Sequence, residues 1–161
     1  MDSDPRAARL LSRLTRRGET LAVAESVTGG RVAAKLTAVP GASVVLLGAV
    51  VSYATEVKVS VLGVPQEVVA SHGVVSAECA EAMARGVRRL MGSTWGVATT
   101  GVAGPGRQDD QPPGTVYVSV AGPGDEVRVH RLDLSGTRHE IQAGTARQAI
   151  QLLLDTAGPL G

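Results

Sequence analysis

TLAVAESVTGGRVAAKLTAV, residues 20–39, moves from an apolar run through Glu25, Ser26, Thr28, Gly29 and Gly30 into an amphipathic stretch. The run at 20–24 reads as a strand, and 28–39, stopped by Pro40-Gly41, reads as a helix. A strand that ends in a hydroxyl residue and turns through Gly-Gly into a helix exposes unpaired backbone N–H groups. Together with the helix dipole these favour a phosphate or a developing oxyanion. Ser26 stands at that mouth. A plain turn, with Ser26 or Thr28 as N-cap and the glycines relaxing the backbone, explains the same pattern.

Similar alternation runs along the chain. Residues 6–17 place Leu10, Leu11 and Leu14 on one face, end in Arg and stop at Gly18, as an amphipathic helix does. Residues 43–53 are β-branched and continuous enough to read as an interior strand. A short helix is expected at 56–62, Pro65 opens another short segment, Ser76 caps a longer helix through Met91, and 94–99 is strand-like. After the loop GVAGPGRQDDQPPG, strands at 115–121 and 126–134 form a hairpin over residues 122–125, and a last helix spans about 137–156. Strands alternating with helices, plus one hairpin, predict an α/β fold: a three-layer α/β/α sandwich with a mixed, mostly parallel sheet, as one domain over residues 1–161.

Bulk properties narrow the function classes. With 16 basic and 15 acidic side chains dispersed along the chain, the formal charge is +1, so no single-sign field announces nucleic acid or an anionic membrane. At 43% hydrophobic the chain can bury a real core. Its longest apolar stretch, 42–54, is broken by Ser, Gly and Tyr and is shorter than the ~20 residues a membrane helix needs. The N-terminus opens with two acids and carries basic residues throughout, unlike a signal peptide. A lone Cys79 excludes an internal disulfide and a multi-cysteine zinc site, and suits a reducing compartment, so the cytoplasm is expected.

Several catalytic signatures fail on spacing. GxxxxGK[ST] and GxSxG are absent, Gly104-Pro105-Gly106 lacks a third glycine, and Ala143 stands where a zinc-protease helix begun at His139-Glu140 needs its second histidine. His72, His130 and His139 sit in contexts that suit ordinary surface residues. Three polar stretches remain: AESVTGG, SYATEVK (residues 52–58) and TTGVAGPG (residues 99–106). Each follows an expected strand, and in such folds the carboxyl ends of the strands share one crevice where ligands bind. Taken singly, each has a bland explanation: a packed tyrosine, a solvated lysine, a turn.

AESVTGGRVAAKLTAVPGAS, LGAVVSYATEVKVSVLGVP, HGVVSAECAEAMARG, TTGVAGP and PPGTVYVSVA, in that order, resemble the C-terminal domain of the CinA (competence-damage-inducible protein A) family, over roughly residues 6–156. Stand-alone members are nicotinamide-nucleotide amidohydrolases. The resemblance implies hydrolysis of the carboxamide of nicotinamide mononucleotide to nicotinate mononucleotide and ammonia. The alternative is a catalytically inactive nucleotide-binding or adaptor domain of the same family. The family's serine falls on Ser26, its tyrosine and lysine on Tyr53 and Lys58, its threonine on Thr100, and an arginine before the last helix on Arg138. Departures are Val27 where relatives often carry Cys, Gln142 where they often carry Arg, and fewer glycines at 106–111.

On this reading Ser26 attacks the amide carbon, and Tyr53 or Lys58 is the base, one handing the proton to the other. Lys58 must be partly desolvated to accept a proton near neutrality, since a free lysine titrates near ~10.4. Glu25, Thr28, Gly29 and Gly30, with Thr100, Gly101 and Gly104, are expected around the substrate. One of the two glycine-rich loops holds the oxyanion, and the other, with Arg138, the phosphate. The chemistry calls for no metal or cofactor. The resemblance implies a homo-oligomer, a dimer above all, since relatives associate, and the Val/Ala-rich helix faces permit one; a small molecule rather than nucleic acid or membrane is the expected partner.

Overall fold

The computed structural model describes residues 3–159. In chain order the elements are α1 (Pro5–Arg17), β1 (Leu21–Glu25), α2 (Arg31–Thr37), a 3-10 turn (Ala42–Val44), β2 (Leu46–Val51), α3 (Thr55–Ser60), α4 (Gln66–His72), α5 (Ala77–Met91), β3 (Trp95–Gly101), β4 (Thr115–Ala121), β5 (Val127–Asp133) and α6 (Arg138–Ala157). The strands form one sheet in the order β2-β1-β3-β4-β5. β1 is parallel to β2 and β3, while β4 is antiparallel to both β3 and β5, so only β4 runs against the rest. Helices cover both faces, giving the α/β/α sandwich anticipated from the alternation of elements.

The two faces divide the side chains of each central strand by parity. Leu21 and Val23 of β1 join Val97, Val118 and Val120 in a core closed by Leu10 and Leu14 of α1, Val32 and Leu36 of α2, and Ile150 and Leu153 of α6. Ala22 and Ala24 point the other way, with Ala98 and Ala121, against Met83, Ala84 and Val87 of α5. Both faces of β1 are therefore buried, which is why its sequence reads as a continuous apolar run. The α5 face is lined by small residues because the helix lies close: a Cβ at Gly96 would collide with the carbonyl oxygen of Ala84.

Two expectations need correction. Residues 43–53 do not form an interior strand. They make a 3-10 turn and then β2, which among the described residues pairs only with β1 and lies at the sheet edge. Burial along β2 alternates, leaving Leu47 48% and Val51 47% exposed, although every residue in the strand is apolar or glycine. The apolar run carries no signal of which neighbours the strand will find. Likewise α2 starts at Arg31 rather than Thr28, because a side chain from β1 supplies its cap. The other elements lie close to their expected places, including the Ser76 cap of α5 and a Thr137/Glu140 capping box on α6.

Gly86 and Gly144 both lie inside helices, where alanine is ordinarily favoured by about 1 kcal/mol. A Cβ at Gly86 would collide with the backbone oxygen of Leu62, whereas at Gly144 it would meet only side chains at 3.4 Å and beyond. Gly86→Ala is expected to lower unfolding free energy by about 1–3 kcal/mol. Gly144→Ala should raise it by about 0.5–1 kcal/mol, both read from urea midpoints.

Candidate active site

The carboxyl ends of β1, β2 and β3 lie side by side, and the residues just beyond them converge. Ser26 follows β1, Ser52 and Tyr53 follow β2, and Thr99 and Thr100 close β3. The short helix α3 then turns Lys58 inward, and its side chain is 1% exposed, among the largest fully buried groups in the protein. Its Nζ lies 2.9 Å from Ser26 Oγ, 2.6 Å from the carbonyl oxygen of Ser52 and 3.3 Å from that of Tyr53.

The triangle accommodates both protonation states: an ammonium fills it with three N–H donors, and a neutral amine gives two N–H groups to the carbonyls and turns its lone pair to the Ser26 hydroxyl. Among the described residues no carboxylate lies within salt-bridge distance of Nζ. Burial accordingly lowers the Lys58 pKa, against weaker upward pulls from Cys79 and Asp109. Burial also pushes the Cys79 thiol up to about 11, so at neutral pH it carries no charge that would hold a proton on Lys58.

Glu25 is wholly buried and does not face the cleft. Its carboxylate accepts from the N–H groups of Gly30 (3.1 Å), Val32 (3.0 Å) and Ala33 (2.9 Å) and from the Thr28 hydroxyl (2.6 Å). It thus occupies the α2 N-terminus that the sequence offered to a phosphate or oxyanion. Thr28 in turn meets Thr99 Oγ1 at 2.8 Å, and the Ser26 N–H donates to the same Thr99 oxygen at 3.3 Å. The Gln142 amide donates to the Val27 carbonyl at 3.1 Å, so the turn that carries Ser26 is gripped from α6 as well.

In front of Ser26 opens a cavity of about 290 Å³, lined by Tyr53, Thr100, Gly101, Gly104, Arg107 and Arg138 among others. Arg138 spans its mouth, donating to the Gly104 carbonyl at 2.6 Å and to the Tyr53 hydroxyl at 2.7 Å. Tyr53 is 60% exposed, and it is its carbonyl, not its phenol, that meets Lys58. The Thr100 hydroxyl is turned to the Val74 carbonyl at 2.7 Å. Of the residues expected from sequence, the fold gathers Ser26 at the cavity floor with Lys58 buried behind it, and Tyr53, Thr100, Gly101, Gly104 and Arg138 along the walls. Glu25 and Thr28 lie behind it, and Gly29 and Gly30 form the turn at positive φ, outside the lining. Ser52, Thr99 and Asp109 escaped the sequence reading, although each stands within or beside a stretch singled out there.

Fold and cleft together define an α/β/α sandwich with a polar pocket at the strand ends. The chain belongs to the CinA C-terminal domain family, whose model matches residues 3–157. A CinA-like protein of Frankia casuarinae is 49% identical over 89% of this chain and 33% of that protein, and one of Myxococcus xanthus is 46% identical over 95% and 37%. The chain thus spans about a third of the length of these curated relatives. Among solved structures, the competence/damage inducible protein CihA from Agrobacterium tumefaciens superposes with a TM-score of 0.89 at 30% identity, covering 98% of this chain and 99% of that one. A CinA superfamily protein from Klebsiella pneumoniae gives 0.89 at 32% identity, over 95% and 96%.

Glu25→Gln removes the charge at the α2 N-terminus and sets an amide NH₂ against backbone N–H donors. It is expected to cost about 1–3 kcal/mol of stability, measured by chemical denaturation.

Proposed function

We propose that this chain hydrolyses the carboxamide of nicotinamide mononucleotide, releasing ammonia and nicotinate mononucleotide. The observation that carries this reading is the 2.9 Å approach of a buried, counterion-free lysine amine to Ser26 Oγ at the floor of a polar cavity. A serine paired with a lysine base is a recurrent variant of the serine-histidine arrangement.

Lys58 takes the Ser26 proton as Oγ bonds to the amide carbon, and the carbonyl oxygen becomes an oxyanion. The amides of Gly30 and Val32 are spent on Glu25, and that of Gly29 on the Ser26 carbonyl. The Val27 N–H, next to the nucleophile, has no protein acceptor among the described residues and is the candidate oxyanion donor. The ammonium of Lys58 then protonates the amide nitrogen, the C–N bond breaks, and ammonia leaves an acyl-Ser26. Water, deprotonated by Lys58, attacks the ester carbon, and the proton returns to Ser26 as the carboxylate departs. Arg107 and Arg138 at the mouth offer guanidinium groups to a phosphate.

Ser26→Ala and Lys58→Met are each expected to lower ammonia release about a thousandfold or more with the fold retained by circular dichroism. Lys58→Arg should be inactive at every pH, since a guanidinium holds its proton. Because the working form is the free amine, kcat/KM should rise with pH and level off below the ~10.4 of an exposed lysine. Calorimetry showing nucleotide binding by a wild type that releases no ammonia would instead identify a binding domain.

A homodimer is the proposed assembly. No charged side chain lies between Lys35 and Glu56, and Val44, Leu47 and Val51 are exposed along the open β2 edge. An uncharged edge is complementary to its own copy across a two-fold axis, and its unpaired backbone groups find partners there. Sedimentation should show a dimer for the wild type and a monomer for Leu47→Lys.

A further inference from the structure

The loop between β3 and β4 supplies the outer wall of the cavity through Gly104, Gly106, Arg107 and Gln108. Gln108 and Gln111 exchange backbone hydrogen bonds of 3.1 and 2.8 Å around Asp109 and Asp110. These two aspartates have φ of +50° and +58° and are the only non-glycine residues at positive φ among the described residues. A two-residue turn of this hand ordinarily takes Asn-Gly or Asp-Gly, and aspartate at both positions carries strain that the surroundings must offset.

The offset is visible at Asp109. Its Oδ2 accepts from the N–H groups of Val74 (2.9 Å) and Val75 (3.2 Å), in the link between α4 and α5. A Cβ at Gly73 would lie 2.8 Å from that same oxygen, so the chain passes close under the carboxylate. The Val74 carbonyl meanwhile accepts from Thr100 at 2.7 Å. One peptide link of the cavity wall is thus held on one side by β3 and on the other by the loop.

We propose that Asp109 is a positioning residue of the cleft: its carboxylate ties the outer-wall loop to the Val74–Val75 backbone and fixes the distance of that wall from Ser26. The inference rests on the amidohydrolase reading only for its kinetic consequence. Asp109 has a second effect through charge. The titratable groups facing Lys58 are Cys79 from α5 and Asp109 from the loop, and Cys79 is neutral until strongly alkaline pH. The Asp109 carboxylate pulls the Lys58 pKa upward, against the larger lowering by burial.

Asp109→Gly keeps a backbone suited to the turn and removes the anchor. Asp109→Asn keeps an oxygen in place of Oδ2 and removes only the charge, and Asp110→Gly is the control. Amide exchange on the full chain should speed up about tenfold or more at Val74 and Val75 in Asp109→Gly, and stay within about threefold of wild type in the other two. The ¹⁵Nζ titration of Lys58 should move to lower pH in Asp109→Asn. KM for nicotinamide mononucleotide should rise about tenfold in Asp109→Gly with kcat within about threefold. Wild-type exchange at both amides in Asp109→Gly overturns the proposal, as does a loss confined to kcat. Exchange and titration need no substrate, so a wild type that releases no ammonia refutes the activity while the anchor is still judged.

Discussion

Lys58 carries an amine into a pocket where its charged form has no counterion among the described residues, and the organisation of the site follows from that constraint. Leaving water costs a bare ammonium several kcal/mol, so the group survives burial by giving up its proton readily and by filling its hydrogen bonds. The carbonyls of Ser52 and Tyr53 do the filling, and both come from the chain as it leaves β2. The third contact is to Ser26, and once the proton is lost it is the amine's lone pair that faces that hydroxyl. A solvated lysine at the same distance would be a cation donating to the serine, with no capacity to accept.

Glu25 is the complementary device on the other side of Ser26. A buried carboxylate over the first amides of α2 holds the turn that carries Ser26, and Thr28 and Thr99 extend the network to β3. Charge at the site is thereby sorted. The acid is committed to backbone amides behind the wall, the amine is buried behind Ser26 without a carboxylate partner among the described residues, and the arginines stand at the solvent side. Ser52 fastens β2 to this arrangement, donating through both its N–H and hydroxyl to the Glu25 carbonyl at 2.7 and 3.1 Å. The result is a dry amine behind a wet mouth.

Most of the fold was legible because its signals are local. Caps, the glycine stops after α1 and α5, the hairpin turn and the apolar periodicities act over a few residues and are written into the sequence beside the elements they bound. The misreading of residues 43–53 came from a quantity that is not local. Whether an apolar strand lies inside a sheet or at its rim depends on which strands pair with it, and β1 took the inner place. The early helix start at Thr28 had a similar origin, since the cap of α2 is a side chain from the preceding strand.

The sequence by itself determined the sandwich, the polar strand ends and the candidate hydroxyl and amine, because periodicity and residue chemistry are carried by neighbours in the chain. Tertiary structure alone decided which of Tyr53 and Lys58 presents its side chain to Ser26, turned Glu25 and Thr28 away from the cavity, and brought Asp109 to Val74. Those outcomes depend on the depth to which each group is buried and on the partners it meets there. Both are set when distant segments pack, and the spacing of residues along the chain does not fix either.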